Sequence, residues 1–229
     1  MHDFLAHFGF GAKSGIDLQG ESSGLLPSKE WKMRRWNKPW FLGETVIAGI
    51  GQGYHLTTPL QLATATAMLA NGGVRVEPRL VQAVRDPVTH QWVAQAPAVR
   101  EKMTLQPAHL DVVRQAMVDV LKPGGTASAA GAGAPYAIAG KTGTAQVVGI
   151  KQGAKYDEKR VLRQHRDHAL FVAFAPADAP TIAVAVLVEN GGHGGSVAAP
   201  IARAVFDYYL LGKRPLVKIQ EADVESAGD

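Results

Sequence analysis

Residues 182–188, Ile-Ala-Val-Ala-Val-Leu-Val, place seven apolar side chains in a row between Thr181 and Glu189. Strand side chains alternate between two faces, so this run is apolar on both and demands cover on both. It reads as a central strand over 181–189. Two further strands are expected near 136–148 and 168–175. Helical patterns flank them. Thr58 predicts an N-cap, with Pro59 at the first helical position, Gln61 completing a T-x-x-Q capping box, and Leu62, Ala65 and Leu69 forming an apolar stripe. Asn71-Gly72-Gly73 stops that helix. A second helix is expected from Pro107 to Leu121, with Leu110, Val113, Met117 and Val120 on one face. A third runs from Ala198 to Leu211, covers one sheet face and ends at Gly212-Lys-Arg-Pro215. The order is a helical half followed by a sheet half. Between them, residues 124–135 are rich in Gly, Ala and Ser and read as a flexible linker or as the approach to the next strand. No internal repeat is evident.

Composition narrows the classes. The 229 residues are 46% hydrophobic and 19% charged, enough for one large domain or two small ones. A net charge of +4 is too small to argue for a nucleic-acid partner without a localised patch. The chain has no Cys, which excludes disulfides and thiolate metal sites. No apolar run approaches the roughly 18 to 20 residues of a membrane-spanning helix, and no signal peptide is recognisable. The residues after the last helix form a tail over 216–229, acidic from Glu221 onward, that is expected to be disordered.

The chemistry concentrates at Gly140-Lys141-Thr142-Gly143-Thr144, which reads as a strand at a sheet edge. Lys141 offers an ammonium, and Thr142 and Thr144 offer two short hydroxyl donors. Gly143, with no side chain, lets another backbone approach. A carboxylate fits such a set, and an extended peptide with a free C-terminus carries one.

Other clusters carry less. Lys29 to Trp40 interleaves Lys29, Lys32, Arg34, Arg35 and Lys38 with Trp31, Trp36 and Trp40. It lacks clean helical amphipathicity and lies between Leu26-Pro27 and Pro39, so it reads as an exposed excursion pinned by its Trp residues. His165-Arg-Asp-His168 has no third ligand near in sequence, and no metal is expected there. Gly191-Gly-His193-Gly-Gly reads as a glycine turn after a strand. Gly49-Ile-Gly51-Gln-Gly53 is a turn before the capped helix, since neither stretch meets a nucleotide-binding pattern.

The K-T-G-T motif, after its A-I-A-G approach, resembles the third signature of the penicillin-binding proteins and serine β-lactamases. Ile50-Gly51-Gln52-Gly53, Thr58-Pro59-Leu60-Gln61-Leu62-Ala63 and Asn71-Gly72-Gly73 match the order seen in the class B penicillin-binding proteins. Phe171-Val-Ala-Phe-Ala-Pro176 and Val188-Glu-Asn-Gly191-Gly192 continue it. Phe8-Gly9-Phe10-Gly11, Ser23-Gly-Leu-Leu-Pro27 and Lys38-Pro39-Trp40 resemble the members that serve cell elongation. The likeness covers roughly residues 1–212.

That resemblance implies an α/β (α+β) penicillin-binding, serine β-lactamase-like transpeptidase fold, with an antiparallel sheet packed against helices. The domain would span residues 1–215. The activity implied is D,D-transpeptidation in peptidoglycan crosslinking, with stem peptides as substrates and β-lactams as acylating agents. Cell-wall elongation proteins would be partners, and the full protein would be periplasmic and anchored in the inner membrane. No cofactor is implied. Lys141, Thr142, Gly143 and Thr144 would bind substrate, and the N–H of Thr144 would serve as an oxyanion donor. No Ser in the sequence has a Lys at the third following position, and none has Asn or Asp two places on. The chain is therefore read as the substrate-binding half of the domain, without catalytic residues of its own and inactive alone. A non-catalytic module that binds peptidoglycan peptides is the alternative. The family's first strands would pair beside residues 181–189, leaving that edge open here.

Overall fold

The computed structural model describes residues 1–148 and 161–214. In chain order these are helices α1 (His2–His7), α2 (Lys29–Trp36), α3 (Leu42–Gly49) and α4 (Pro59–Ala70), then strands β1 (Val74–Val76), β2 (Ala83–Arg85), β3 (Trp92–Ala94) and β4 (Val99–Lys102). Helices α5 (Pro107–Asp119) and α6 (Ser128–Gly131), strands β5 (Ala139–Ala145), β6 (His168–Ala175) and β7 (Ile182–Val188), and helix α7 (Gly194–Leu211) follow, with a 3-10 turn at Arg163–His165 before β6.

The three long strands form one antiparallel sheet in the order β5-β6-β7. Alternation along β6 assigns its two faces. Ala169, Phe171, Ala173 and Ala175 share a core with Ala198, Ala199, Ala202 and Phe206 of α7 and Ala127 and Ala130 beside and within α6. On the other face, Phe174 and Ala139 meet Ala70 of α4 and Met117 of α5. Phe171, Phe174 and Phe206 are each 0–1% exposed. Each such ring contributes about 1.5–3 kcal/mol on removal from water.

Ile182, Val184, Val186 and Val188 pack on the α7 core and Ala183 on the α4 and α5 side, but all are only half-buried, Leu187 is 38% exposed, and β7 is not central. Among the described residues it pairs only with β6, and its other edge carries no strand. Composition reports the covering of faces and is blind to edges. The strand expected over 136–148 pairs only over 139–145, because β6 begins at His168, which stands opposite Ala145.

The capped helix forms as read. Thr58 Oγ1 accepts the N–H of Gln61 at 3.1 Å, and Gln61 Oε1 accepts the N–H of Thr58 at 3.0 Å. Gln61, 1% exposed, also donates to the carbonyls of Ala12 and Ser23, both at 2.8 Å, and so holds the N-terminal segment on α4.

Four expectations are corrected. Residues 124–135 are not a flexible linker. A Cβ at Gly125 would lie 2.3 Å from the carbonyl of Val120, and one at Gly131 2.2 Å from that of Leu121, so the small residues serve close packing. Lys29–Trp36 is a helix, capped by Ser28 Oγ accepting the N–H of Trp31 at 3.0 Å and closed by Asn37 at φ 53°. Lys32 is buried, and the rings of Trp31 and Trp36 pack at a tilt against Tyr54, with centroids 5.4 and 4.8 Å away. Four short strands precede the sheet half, where none was expected: β1 pairs with β4 and β2 with β3. At three or four residues they are too short to show a period. Finally, α7 starts at Gly194, ahead of the expected Ala198 and with Pro200 inside it. The tail over 216–229 lies outside the described residues.

Candidate carboxylate-binding site

Strand β5 is the opposite edge of the sheet, and alternation divides its motif between two faces. Thr142 pairs with Phe171 and Thr144 with Ala169, on the side of α7. Lys141 pairs with Val172 and Gly143 with Leu170, on the side of α4 and α5.

Thr142, Gly143 and Thr144 line an open cleft of about 480 Å³ with Thr126, His193, Gly194, Gly195 and Ser196. Lys141 is exposed and is not part of its wall; its Nζ donates to the carbonyl of Thr142 at 2.7 Å. The structure thus gathers two motif hydroxyls and the bare glycine in one cleft, and sets the ammonium at the strand's outer edge.

The first turn of α7 forms the facing wall. A Cβ on Gly194 would stand 2.1 Å from the carbonyl oxygen of Leu170 and 2.7 Å from that of Gly143, distances no side chain tolerates. The glycines therefore let a helix N-terminus approach the motif strand, where its unpaired N–H groups and partial positive charge favour an anion.

The carbonyl of Thr144 accepts the amide of Gln52 at 3.3 Å, from the turn after α3. A strand residue's N–H and C=O lie on the same side, so the N–H of Thr144 also faces the open edge rather than β6. Beyond the strand's end, the N–H of Val147 donates to Oδ1 of the buried Asp167 at 3.3 Å. His168 is spoken for structurally: its Nδ1 accepts the N–H of Asn190 at 2.9 Å.

Sequence reasoning missed Thr126, Gly194, Gly195 and Ser196. The glycine pairs 124–125 and 194–195 were the available signal, since paired glycines mark close backbone approach as readily as flexibility.

A connected polar cluster holds α7 to the approach of β5. The Tyr136 hydroxyl donates to Oδ1 of Asp207 at 2.5 Å, and Arg203 Nε donates to the same oxygen at 2.9 Å. Arg203 Nη1 also donates to the carbonyls of Ala130 and Ala132, at 2.9 and 3.1 Å. Burial, with the hydrogen bond and charge of Asp207, pushes the Tyr136 hydroxyl above its usual range. Burial works to raise the Asp207 carboxyl, but the bonds from Tyr136 and Arg203 and the Arg203 charge outweigh it and hold the group below the usual carboxylate range.

A helix-covered antiparallel sheet with a K-T-G edge strand defines the penicillin-recognising class of acyl-transfer folds. Residues 1–207 match the family described as the penicillin-binding protein transpeptidase domain, and the chain belongs to that family. It is 47% identical to the peptidoglycan D,D-transpeptidase MrdA of Acinetobacter baumannii over 217 residues, 93% of this chain and 31% of that protein. The solved structure of Pseudomonas aeruginosa penicillin-binding protein 2, in complex with WCK 5153, is 42% identical with a TM-score of 0.75, covering 100% of this chain and 46% of that one. The Helicobacter pylori penicillin-binding protein 2 in complex with MreC is 32% identical with a TM-score of 0.74, covering 93% of this chain and 36% of that one. The chain spans about a third of the length of the curated relatives it matches.

Proposed function

We propose that this chain supplies the carboxylate-binding half of a peptidoglycan D,D-transpeptidase, and that the nucleophilic Ser comes from polypeptide beyond these 229 residues. The observation that carries the reading is the open β5 edge, where Thr142, Thr144 and the start of α7 converge on one cleft. In the reaction, a Ser attacks the terminal D-Ala–D-Ala amide of a stem peptide, D-Ala leaves, and an amine of a neighbouring stem peptide resolves the acyl-enzyme. The C-terminal carboxylate of the donor peptide accepts the hydroxyls of Thr142 and Thr144. Lys141 contributes positive potential, and the N–H of Thr144 donates to the developing oxyanion. Each charge-assisted bond is worth roughly 1.5–3 kcal/mol.

β-Lactams acylate the same Ser in this scheme. Elongation proteins such as MreC are partners of the whole protein, which is placed in the periplasm on an inner-membrane anchor. None of the described helices is long and apolar enough to cross a membrane. Residues 1–215 form the domain portion.

The absence of S-x-x-K from the sequence also favours a second reading, a module that binds peptidoglycan peptides without chemistry. Fluorescent penicillin separates the two. The 229-residue chain should form no covalent adduct, whereas the full-length polypeptide should be acylated stoichiometrically, and Thr142→Val should slow that acylation. Peptide binding by a full-length polypeptide that never acylates would establish the second reading.

A further inference from the structure

The proposed carboxylate clamp leaves two hydroxyls of the cleft without a role: that of Ser196, which donates to the carbonyl of His193 at 3.3 Å, and that of Thr126. Thr126 Oγ1 lies 3.0 Å from Thr142 Oγ1, with both residues on the cleft wall. Thr126 is exposed, so a buried donor's need for a partner does not explain the contact.

Its backbone is nonetheless held on both sides by contacts only glycine permits. Before it, a Cβ on Gly125 would come within 2.3 Å of the carbonyl of Val120 and 2.4 Å of that of Asp119. Across from it, a Cβ on Gly195 would stand 2.1 Å from the carbonyl oxygen of Thr126 itself. After it, Ala127, 2% exposed, donates its N–H to the carbonyl of Val120 at 3.0 Å. Three elements, α5, α7 and the 124–135 segment, thus fix one exposed hydroxyl against a motif threonine.

We propose that Thr126 is a positioning residue for substrate, which donates its hydroxyl proton to Thr142 Oγ1 and thereby commits the Thr142 proton to the substrate carboxylate. The inference rests on the carboxylate-clamp reading. A threonine hydroxyl has one proton and two lone pairs. Without ligand, either member of the pair can donate. Once a carboxylate arrives, the charge-assisted bond from Thr142 is about twice as strong as a neutral one and takes the Thr142 proton, which leaves Thr126 as the donor to Thr142. The chain Thr126–Thr142–carboxylate then runs in one direction, and each bond polarises the next.

The test uses the full-length polypeptide and compares acylation by benzylpenicillin with acylation by its methyl ester, which lacks the carboxylate. Wild type should prefer the acid, and Thr142→Val should lose the part of that preference that Thr144 and Lys141 do not supply. Thr126→Val should reduce the preference roughly two- to tenfold, the factor for one neutral hydrogen bond, with unchanged melting temperature, and Thr126→Ser should restore it. A Thr126→Val protein that keeps the full preference, while Thr142→Val loses part of it, overturns the inference and leaves the clamp standing. Equal slowing of acid and ester by Thr126→Val also overturns it, because a merely structural lesion acts on both. A wild type that does not discriminate acid from ester overturns the clamp and the inference together.

Discussion

Lys32, whose side chain is 3% exposed, donates its ammonium to Oε1 of Glu44, twelve residues later. The other carboxylate oxygen of Glu44 accepts the N–H of Phe41 at 2.7 Å, and Tyr54 donates to Oε1 at 3.2 Å. One carboxylate therefore ties α2, the start of α3 and the turn whose Gln52 reaches the carbonyl of Thr144. Lys32→Ala strands that carboxylate among groups arranged for its charge. Thermal unfolding of the variant should begin several degrees lower. Replacing both partners with apolar residues should recover much of the loss, because the orphaned charge is then gone. Unchanged melting of Lys32→Ala would remove this tie from the account of the fold.

The start of α7 makes a steric prediction. Gly194→Ala and Gly195→Ala each place a methyl group within 2.1 Å of a backbone carbonyl oxygen, at Leu170 and Thr126 respectively. The helix N-terminus must retreat from β5, and acylation of the full-length protein should fall for both variants while Gly43→Ala, whose Cβ meets nothing within 4 Å, should leave the rate unaltered. Acylation at the wild-type rate in Gly195→Ala would show that the close approach is dispensable.

The Tyr136–Asp207–Arg203 cluster predicts an acid limb of stability. The folded-state Asp207 carboxyl sits below its ordinary value of 3.8. Its contribution is therefore complete above that value and is lost as pH falls through the lower folded value, where the native carboxylate finally takes a proton. Denaturant titrations between pH 5 and pH 2 (roughly that window) should show a steeper loss in wild type than in Asp207→Asn. Parallel curves would assign the acid sensitivity elsewhere.

The open edge of β7 predicts self-association of the 229-residue chain. Residues 182–188 have high β-propensity, no charge and no Pro, and β6 pairs only one side of the strand. Light scattering should detect oligomers, and Leu187→Lys, at the exposed position of the strand, should suppress them. A stable monomer whose residue 182–188 amides are all protected from exchange would mean that something within the chain pairs that edge.

The covering of β7, the capping box at Thr58 and Gln61, the Gly212 helix stop at φ 67° and the edge position of the K-T-G strand were all written in local sequence. Each depends on side-chain period or on a residue's own conformational range, quantities that a short window contains. Tertiary structure alone decided the rest. That Lys32 is buried depends on a carboxylate twelve residues away, and that Gly125, Gly194 and Gly195 are contact points rather than hinges depends on carbonyls of distant elements. Thr126 and Thr142, sixteen residues apart, become a pair only because α5 and α7 close on the segment between them. The motif displays its chemistry in sequence, but which faces its residues take, and which hydroxyl stands beside them, follow from strand register and from backbone contacts that no local pattern records.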